Sequence, residues 1–253
     1  MNLNLIKKLF LYSILALIIF MALLTLTETY KSPYTKHSNL LKEVQLFDTA
    51  RQNLNYEYYP HIYSELTRKA GLANFDIADN YKSDYKDYLY QANWCMQEAS
   101  MGYYYQNKYN YSYVLALRDS GYTNHLLAKQ DKKNQSEKRY YHLKKARFYY
   151  EKTLSFLDFD FYSTENINLK GALSDVYSSM YEIDKRPENI DKAISLREEI
   201  LHDYSNKEKH QKILNQINMK YGDFKDETEF INYYKSSKKE LERLRKQKIK
   251  IKN

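Results

Sequence analysis

The chain has 253 residues and a formal net charge of +8, with 29 Tyr but only five Gly, three Pro and a single Cys. Sheet proteins need turn residues at short intervals and favour β-branched side chains, so this scarcity of Gly, Pro and Val excludes a sheet-rich body and predicts helices joined by short polar turns. Cys95, being alone, excludes an intramolecular disulfide framework and a cysteine-based zinc site.

Residues 1–8 are a short basic flank ending in Lys7 and Lys8. Directly after it, Leu9 to Leu26 run without a charge, and twelve of these residues are Leu, Ile or Phe. At about 1.5 Å per helical residue the run spans roughly 27 Å, close to the ~30 Å hydrocarbon core, which predicts a transmembrane anchor over 9–26. A cleaved signal peptide would have a shorter apolar stretch, about 7–15 residues, and small residues at its exit. This exit reads Thr25-Leu26-Thr27-Glu28, so the anchor is expected to be retained. A basic N-terminal flank usually stays cytoplasmic, which places the body on the non-cytoplasmic side, periplasmic or equivalent; Lys31 and Lys36 beyond the span oppose that bias.

Residues 27–39 are polar, contain Pro33 and read as a linker. Residues 40–234 then carry helical periodicity throughout, beginning with Leu40, Leu41, Val44, Phe47 and Ala50 at i, i+3, i+4, i+7 spacing. Breaks near Tyr59-Pro60, Asn80, Asn107, Asp131–Gln135, Asp158–Ser163, Asp184–Asn189, Ser205-Asn206 and Gly222–Asp226 divide the body into four pairs. These are 60–79 with 81–106, 109–131 with 135–157, 163–184 with 188–204, and 206–221 with 225–250. Short connections make each pair an antiparallel hairpin. Ser136, Ser163 or Thr164, and Pro187-Glu188 supply capping chemistry at three entrances.

Within three pairs the second helix repeats a small–large–small pattern: Ala92-x3-Met96-x2-Ala99, Ala146-x3-Tyr150-x2-Thr153-Leu154 and Ala193-x3-Arg197-x2-Ile200-Leu201. Together with Leu173-Ser174-x2-Tyr177, this resembles the tetratricopeptide (TPR) repeat over about residues 92–204. The equivalent alanines lie 54 and 47 residues apart, longer than that family's period of about 34, and Arg197 stands where a large apolar residue is usual. The resemblance implies an all-α, TPR-like α-solenoid of stacked hairpins whose first helices line an inner groove. That implication makes Tyr113, Leu117, Leu173 and Tyr177 candidate protein-binding groove residues, with packing as their other reading. A helical bundle unrelated to the family is the alternative architecture.

No motif assigns a catalytic residue, a cofactor or a metal. His202 and His210 lie close in sequence but across a helix break, and read as surface histidines. Cys95 has no basic cluster beside it and reads as a structural thiol. Asp76/Asp79 and Glu198/Glu199 are pairs of a kind that helix surfaces carry routinely, so an envelope-polymer hydrolase is the competing functional class rather than the leading one. The tyrosine clusters read as bulky packing residues, with an amphipathic recognition surface as the other reading.

Residues 235–253 form a basic C-terminal tail, in which nine Lys or Arg outnumber Glu240 and Glu242 while the rest of the body is near neutral. Leu241, Leu244 and Ile251 form only a thin apolar stripe, so the tail reads as a solvated helix end or, in the functional reading, as an anionic-surface contact through Lys238, Lys239, Arg243, Arg245, Lys246 and Lys248, with lipid headgroups or a protein acidic patch ranking above nucleic acid because aromatic interleaving stops at Tyr234. The expectation from the whole is a single-pass, membrane-anchored scaffold that binds another protein.

Overall fold

The computed structural model describes residues 33–80, 85–105, 111–131, 135–221 and 226–252. Among the described residues the fold is all-α, with neighbouring helices packed on one another and no strand. The predicted anchor 9–26 and its flank lie outside the described residues. No described helix is long and apolar enough to cross a membrane.

All three prolines of the sequence are first residues of helices, where the missing N–H costs nothing and the fixed φ favours the helical turn. Pro33 opens α1 (Pro33–Gln52), Pro60 opens α2 (Pro60–Asn80), and α3 follows over Tyr85–Tyr105. These three form one compact unit. The polar segment ending at residue 39, expected as a linker, is therefore helical from Pro33 onward.

In this first unit α1 packs on α2, and α2 on α3. Val44 meets Ala73 and Ile77, and Phe47 meets Ala70 and Cys95, so the apolar spacing predicted from Leu40 onward buries the intended face. The helices α2 and α3 approach closely at Gly102, where an added Cβ would fall 2.2 Å from Ser64 Oγ and the serine side chain would have to move. Arg51 ties α1 to α3 by pairing with Glu98 at 2.9 Å, while Tyr63 Oη on α2 donates to the same carboxylate at 2.8 Å.

The second unit contains α4 (Tyr111–Gln130), α5 (Ser136–Leu154), α6 (Phe159–Asp184), α7 (Pro187–Ser205), α8 (Lys207–Tyr221) and α9 (Asp226–Lys252). Its main core joins Val114 of α4, Leu143, Ala146 and Tyr150 of α5, Leu173, Val176 and Met180 of α6, Ile190 and Ala193 of α7, and Leu244 of α9. Burying each large side chain contributes about 1.5–3 kcal/mol. The Tyr150 ring lies over Gly121, where an added Cβ would come within 2.5 Å of it. Ala146 and Ala193 are fully buried, and Ser174 Oγ donates to the Ala193 carbonyl at 2.9 Å, so α6 and α7 run close together there. Arg197 answers the missing apolar residue with hydrogen bonds: its guanidinium donates to Asp175 at 2.6 Å and to the Gly171 carbonyl and Ser174 Oγ at 3.2 Å each.

Local chemistry places several ends differently from expectation. Ser136 is the first residue of α5 but does not cap it; Gln135 holds the N-cap position with no side-chain hydrogen bond. The helix α6 begins at Phe159, four residues before Ser163, because the Asp158 side chain accepts from the Asp160 N–H at 2.8 Å; a kink at Tyr162 separates this turn from the rest. It ends at Lys185, which adopts the left-handed conformation (φ 56°) and donates its N–H to the Tyr181 carbonyl. Asp184 then gathers the turn, accepting from the Arg186 N–H, Asn189 Nδ2 and Tyr140 Oη. Burial alone would raise the Asp184 carboxyl, but these donors outweigh it and hold the group below its ordinary value.

The expected boundary at residue 235 falls inside α9, a 27-residue helix. That helix also packs chiefly on α7 rather than forming a simple hairpin with α8. Leu241 and Leu244 are buried, Arg245 pairs with Glu198 at 2.7 Å, and Lys248 pairs with Asp191 at 2.5 Å. The two buried leucines are thus flanked by solvent-exposed ion pairs to α7.

Candidate functional site

The helices α6 and α7 leave an open furrow on the surface of the second unit. At one end it is floored by Leu173, Tyr177 and Leu196 and edged by Glu151, Lys192, Ser195 and Glu199. It continues past Ser195 to a polar depression lined by Lys170, Glu198, Glu199, His202, Asp203 and Lys209. The apolar end holds about 130 Å³, well under the roughly 300–1,000 Å³ of a small-molecule pocket, and fits a side chain rather than a cofactor.

Of the four predicted groove residues, the structure brings two to this furrow. Leu173 and Tyr177 form its floor, and although each is almost wholly buried, the Tyr177 hydroxyl reaches the edge and donates to Glu151. Burial first, and this hydrogen bond second, push the Tyr177 phenol well above its ordinary pKa. Tyr113 and Leu117 sit on α4, buried at 1% and 2% exposure and away from the furrow. The Tyr113 ring packs edge-on to Phe156 and under Lys152.

The polar end is an ion-pair cluster. Buried Asp203 accepts from Lys170 Nζ at 2.9 Å and Lys209 Nζ at 2.5 Å, and Lys170 also pairs with Glu199 at 3.3 Å. Burial would raise the Asp203 carboxyl, yet the bonds from Lys209 and Lys170 prevail and lower it. Both lysines are thereby committed to joining α6, α7 and α8. Of the acidic pairs considered above, Glu199 and Glu198 are taken up by Lys170 and Arg245, and Asp76 and Asp79 lie exposed on α2.

The two histidines have separate settings. His202 is exposed, whereas His210 Nδ1 donates to the Tyr204 carbonyl at 3.1 Å. Among the described residues no group of three His, Cys, Asp or Glu side chains could hold a metal ion. Cys95 is buried, and burial pushes its thiol up to about 12.

The six basic candidates on α9 divide into two sets. Arg243 is bound to Glu240 and Ser178, Arg245 to Glu198 and Lys248 to Asp191. Lys238, Lys239 and Lys246 are exposed.

A second exposed feature of this unit lies on α5, where Tyr141 and Phe148 stand 54% and 52% exposed with lysine side chains laid across their rings. Tyr141 falls in one of the tyrosine clusters, but the stripe it forms with Phe148 and the lysines is not among the candidate sites read from the sequence. Its signal is the run Tyr141-x3-Lys145-x2-Phe148-x3-Lys152 at helical spacing.

No family model and no curated protein matches the chain. Among solved structures, one described as "Computational Design of Self-Assembling Cyclic Protein Homooligomers" is similar at 15% identity, covering 96% of this chain and 97% of that one with a TM-score of 0.35. A second, "DHF58 filament", is similar at 12% identity over 95% and 99% of the two chains, with a TM-score of 0.36. Likeness at these scores carries no argument about fold or function.

Proposed function

We propose that this chain is a single-pass, membrane-anchored scaffold whose helical body, on the non-cytoplasmic side, binds another protein. The anchor is residues 9–26, read from their uninterrupted apolar character. We read the body as TPR-like stacked hairpins; the full burial of Ala146 and Ala193 and the close approach at Ser174 support that reading. The observation that carries the functional proposal is the α6–α7 furrow, an apolar floor of Leu173, Tyr177 and Leu196 between charged walls, which suits a single apolar side chain presented by a partner's segment.

The test is affinity capture of the full chain from detergent-solubilised membranes, beside a variant with Lys192→Glu and Ser195→Arg at exposed furrow positions. A discrete partner should be recovered with the wild type and depleted roughly tenfold with the variant, the scale of a 1.4 kcal/mol loss. Recovery of no specific protein, or equal recovery by both chains, would contradict the proposal. Labelling of a cysteine placed at exposed Tyr58 by a membrane-impermeant reagent in intact cells should succeed; protection until lysis would put the body on the other side.

A further inference from the structure

On α5, residues Tyr141, Lys145, Phe148 and Lys152 recur at i, i+4, i+7 and i+11, which aligns them in one stripe about 16 Å long. The opposite side of the helix, with Leu143, Ala146 and Tyr150, is buried in the core. Over residues 136–154 six basic side chains face two acidic ones. Of the two acids, Glu151 is engaged by Tyr177 and Arg147, while Glu137 lies in the first turn, one turn before Tyr141. Arg139 already pairs with Glu182.

The lysines here lie over aromatic rings. Lys145 Nζ is 5.8 Å from the Tyr141 centroid, Lys144 Nζ 5.3 Å from Tyr140, and Lys152 Nζ 5.8 Å from Phe148 and 5.7 Å from Tyr113. Among the described residues Lys144 and Lys145 pair with no carboxylate. Such cation–π contacts order the side chains without neutralising them. The result is a strip of half-exposed apolar rings beside positive charge that no carboxylate pairs with at Lys144 and Lys145.

We propose that this stripe docks an acidic amphipathic helix of a partner protein, an inference that rests on the reading of the body as a protein-binding scaffold and names the partner's chemistry. Apolar side chains at i, i+3 and i+4 of the partner cover Tyr141 and Phe148, while its carboxylates pair with Lys144 and Lys145. Three turns of α5 match about three turns of such a helix. Rings lying along a helix, half covered, offer flat contact area of the kind protein interfaces use, and they do not project as an anchor into a bilayer would need. Ring faces occupied by ammonium groups are also poor stacking platforms for nucleic-acid bases.

The experiment places a photoreactive p-benzoylphenylalanine at Phe148, or separately at the furrow residue Ser195, of the full chain in its own membrane, and identifies each adduct by mass spectrometry. Crosslinking at 148 should give a discrete adduct on a helical protein segment rich in Asp or Glu. The yield should fall roughly tenfold with Lys144→Glu/Lys145→Glu and persist with Lys144→Arg/Lys145→Arg, as expected for close charge pairs across an interface. An adduct on a neutral or basic segment, on lipid or on nucleic acid overturns the inference, as does one indifferent to charge reversal. A protein adduct at 195 with none at 148 overturns the α5 inference while leaving the scaffold reading intact; no protein adduct at either position removes both.

Discussion

At the scale of single residues, the tyrosine-rich composition resolves into division of labour. Tyr103 is buried while its neighbours Tyr104 and Tyr105 are exposed, the split that a rotation of about 100° per residue demands. Tyr149 and Tyr150 break this pattern, both buried, because α5 is packed by α4 on one side and α6 on the other. Beside Tyr150 sits His125, edge-on to its ring at 6.2 Å. Burial, aided by Lys129, lowers the His125 pKa from 6.5 to about 3, so the folded state holds it neutral while the unfolded chain protonates below 6.5. A depressed folded pKa means stability that is whole above 6.5 and is lost as pH falls toward 3, at up to about 1.4 kcal/mol per pH unit. His125→Phe keeps a ring in place and removes the titration. Denaturant melts between pH 7 and pH 4 should therefore show a flatter acid limb for the variant than for the wild type; parallel limbs would mean that other groups govern the loss.

At the scale of elements, what the sequence made legible was punctuation. Pro60, Pro187 and Asn206 mark real boundaries for physical reasons readable in one dimension: a ring that suits a first turn, and an Asn206 carboxamide that accepts from the N–H groups of Glu208 and Lys209. The packing of α9 was not legible. Leu241 and Leu244 make a thin stripe that reads as a solvated tail, and only the placement of Asp191 and Glu198 on α7 shows what holds Lys248 and Arg245. The four candidate groove residues divide for the same reason. Helical periodicity gives the buried faces of α4 and α6 alike, but whether a buried residue also borders an open furrow depends on the neighbour: α7 leaves Leu173 and Tyr177 bordering the furrow, whereas Tyr113 is closed over by Phe156 and Lys152. Helix contacts carry their own prediction. Ala146 has no exposed surface, so Ala146→Leu should overpack and destabilise by about 1–3 kcal/mol, and Ala193→Leu likewise. An unchanged melting temperature for Ala146→Leu would remove the close approach on which the stacked-hairpin reading depends.

At the scale of the whole molecule, the chain combines an apolar stretch of 18 residues with a body of packed helices, and two of the exposed features among the described residues are the α6–α7 furrow and the α5 stripe. The ion pairs of Asp203 and Arg197 sit between helices and fix their spacing, while the furrow and the α5 stripe remain open to solvent. Protein interfaces concentrate their energy in a few aromatic and charged anchors, so under the proposed scaffold function altering exposed residues at the furrow and stripe should abolish assembly without unfolding the helices. The most direct measurement is the native mass of the full chain released gently from its own membrane, determined by size-exclusion chromatography with light scattering and with the subunits identified. A hetero-assembly containing a second protein is expected, collapsing to the chain alone when Lys192→Glu, Ser195→Arg, Lys144→Glu and Lys145→Glu are combined in a protein whose helical circular dichroism is unchanged. A wild-type chain that runs alone, or only with copies of itself, would contradict it.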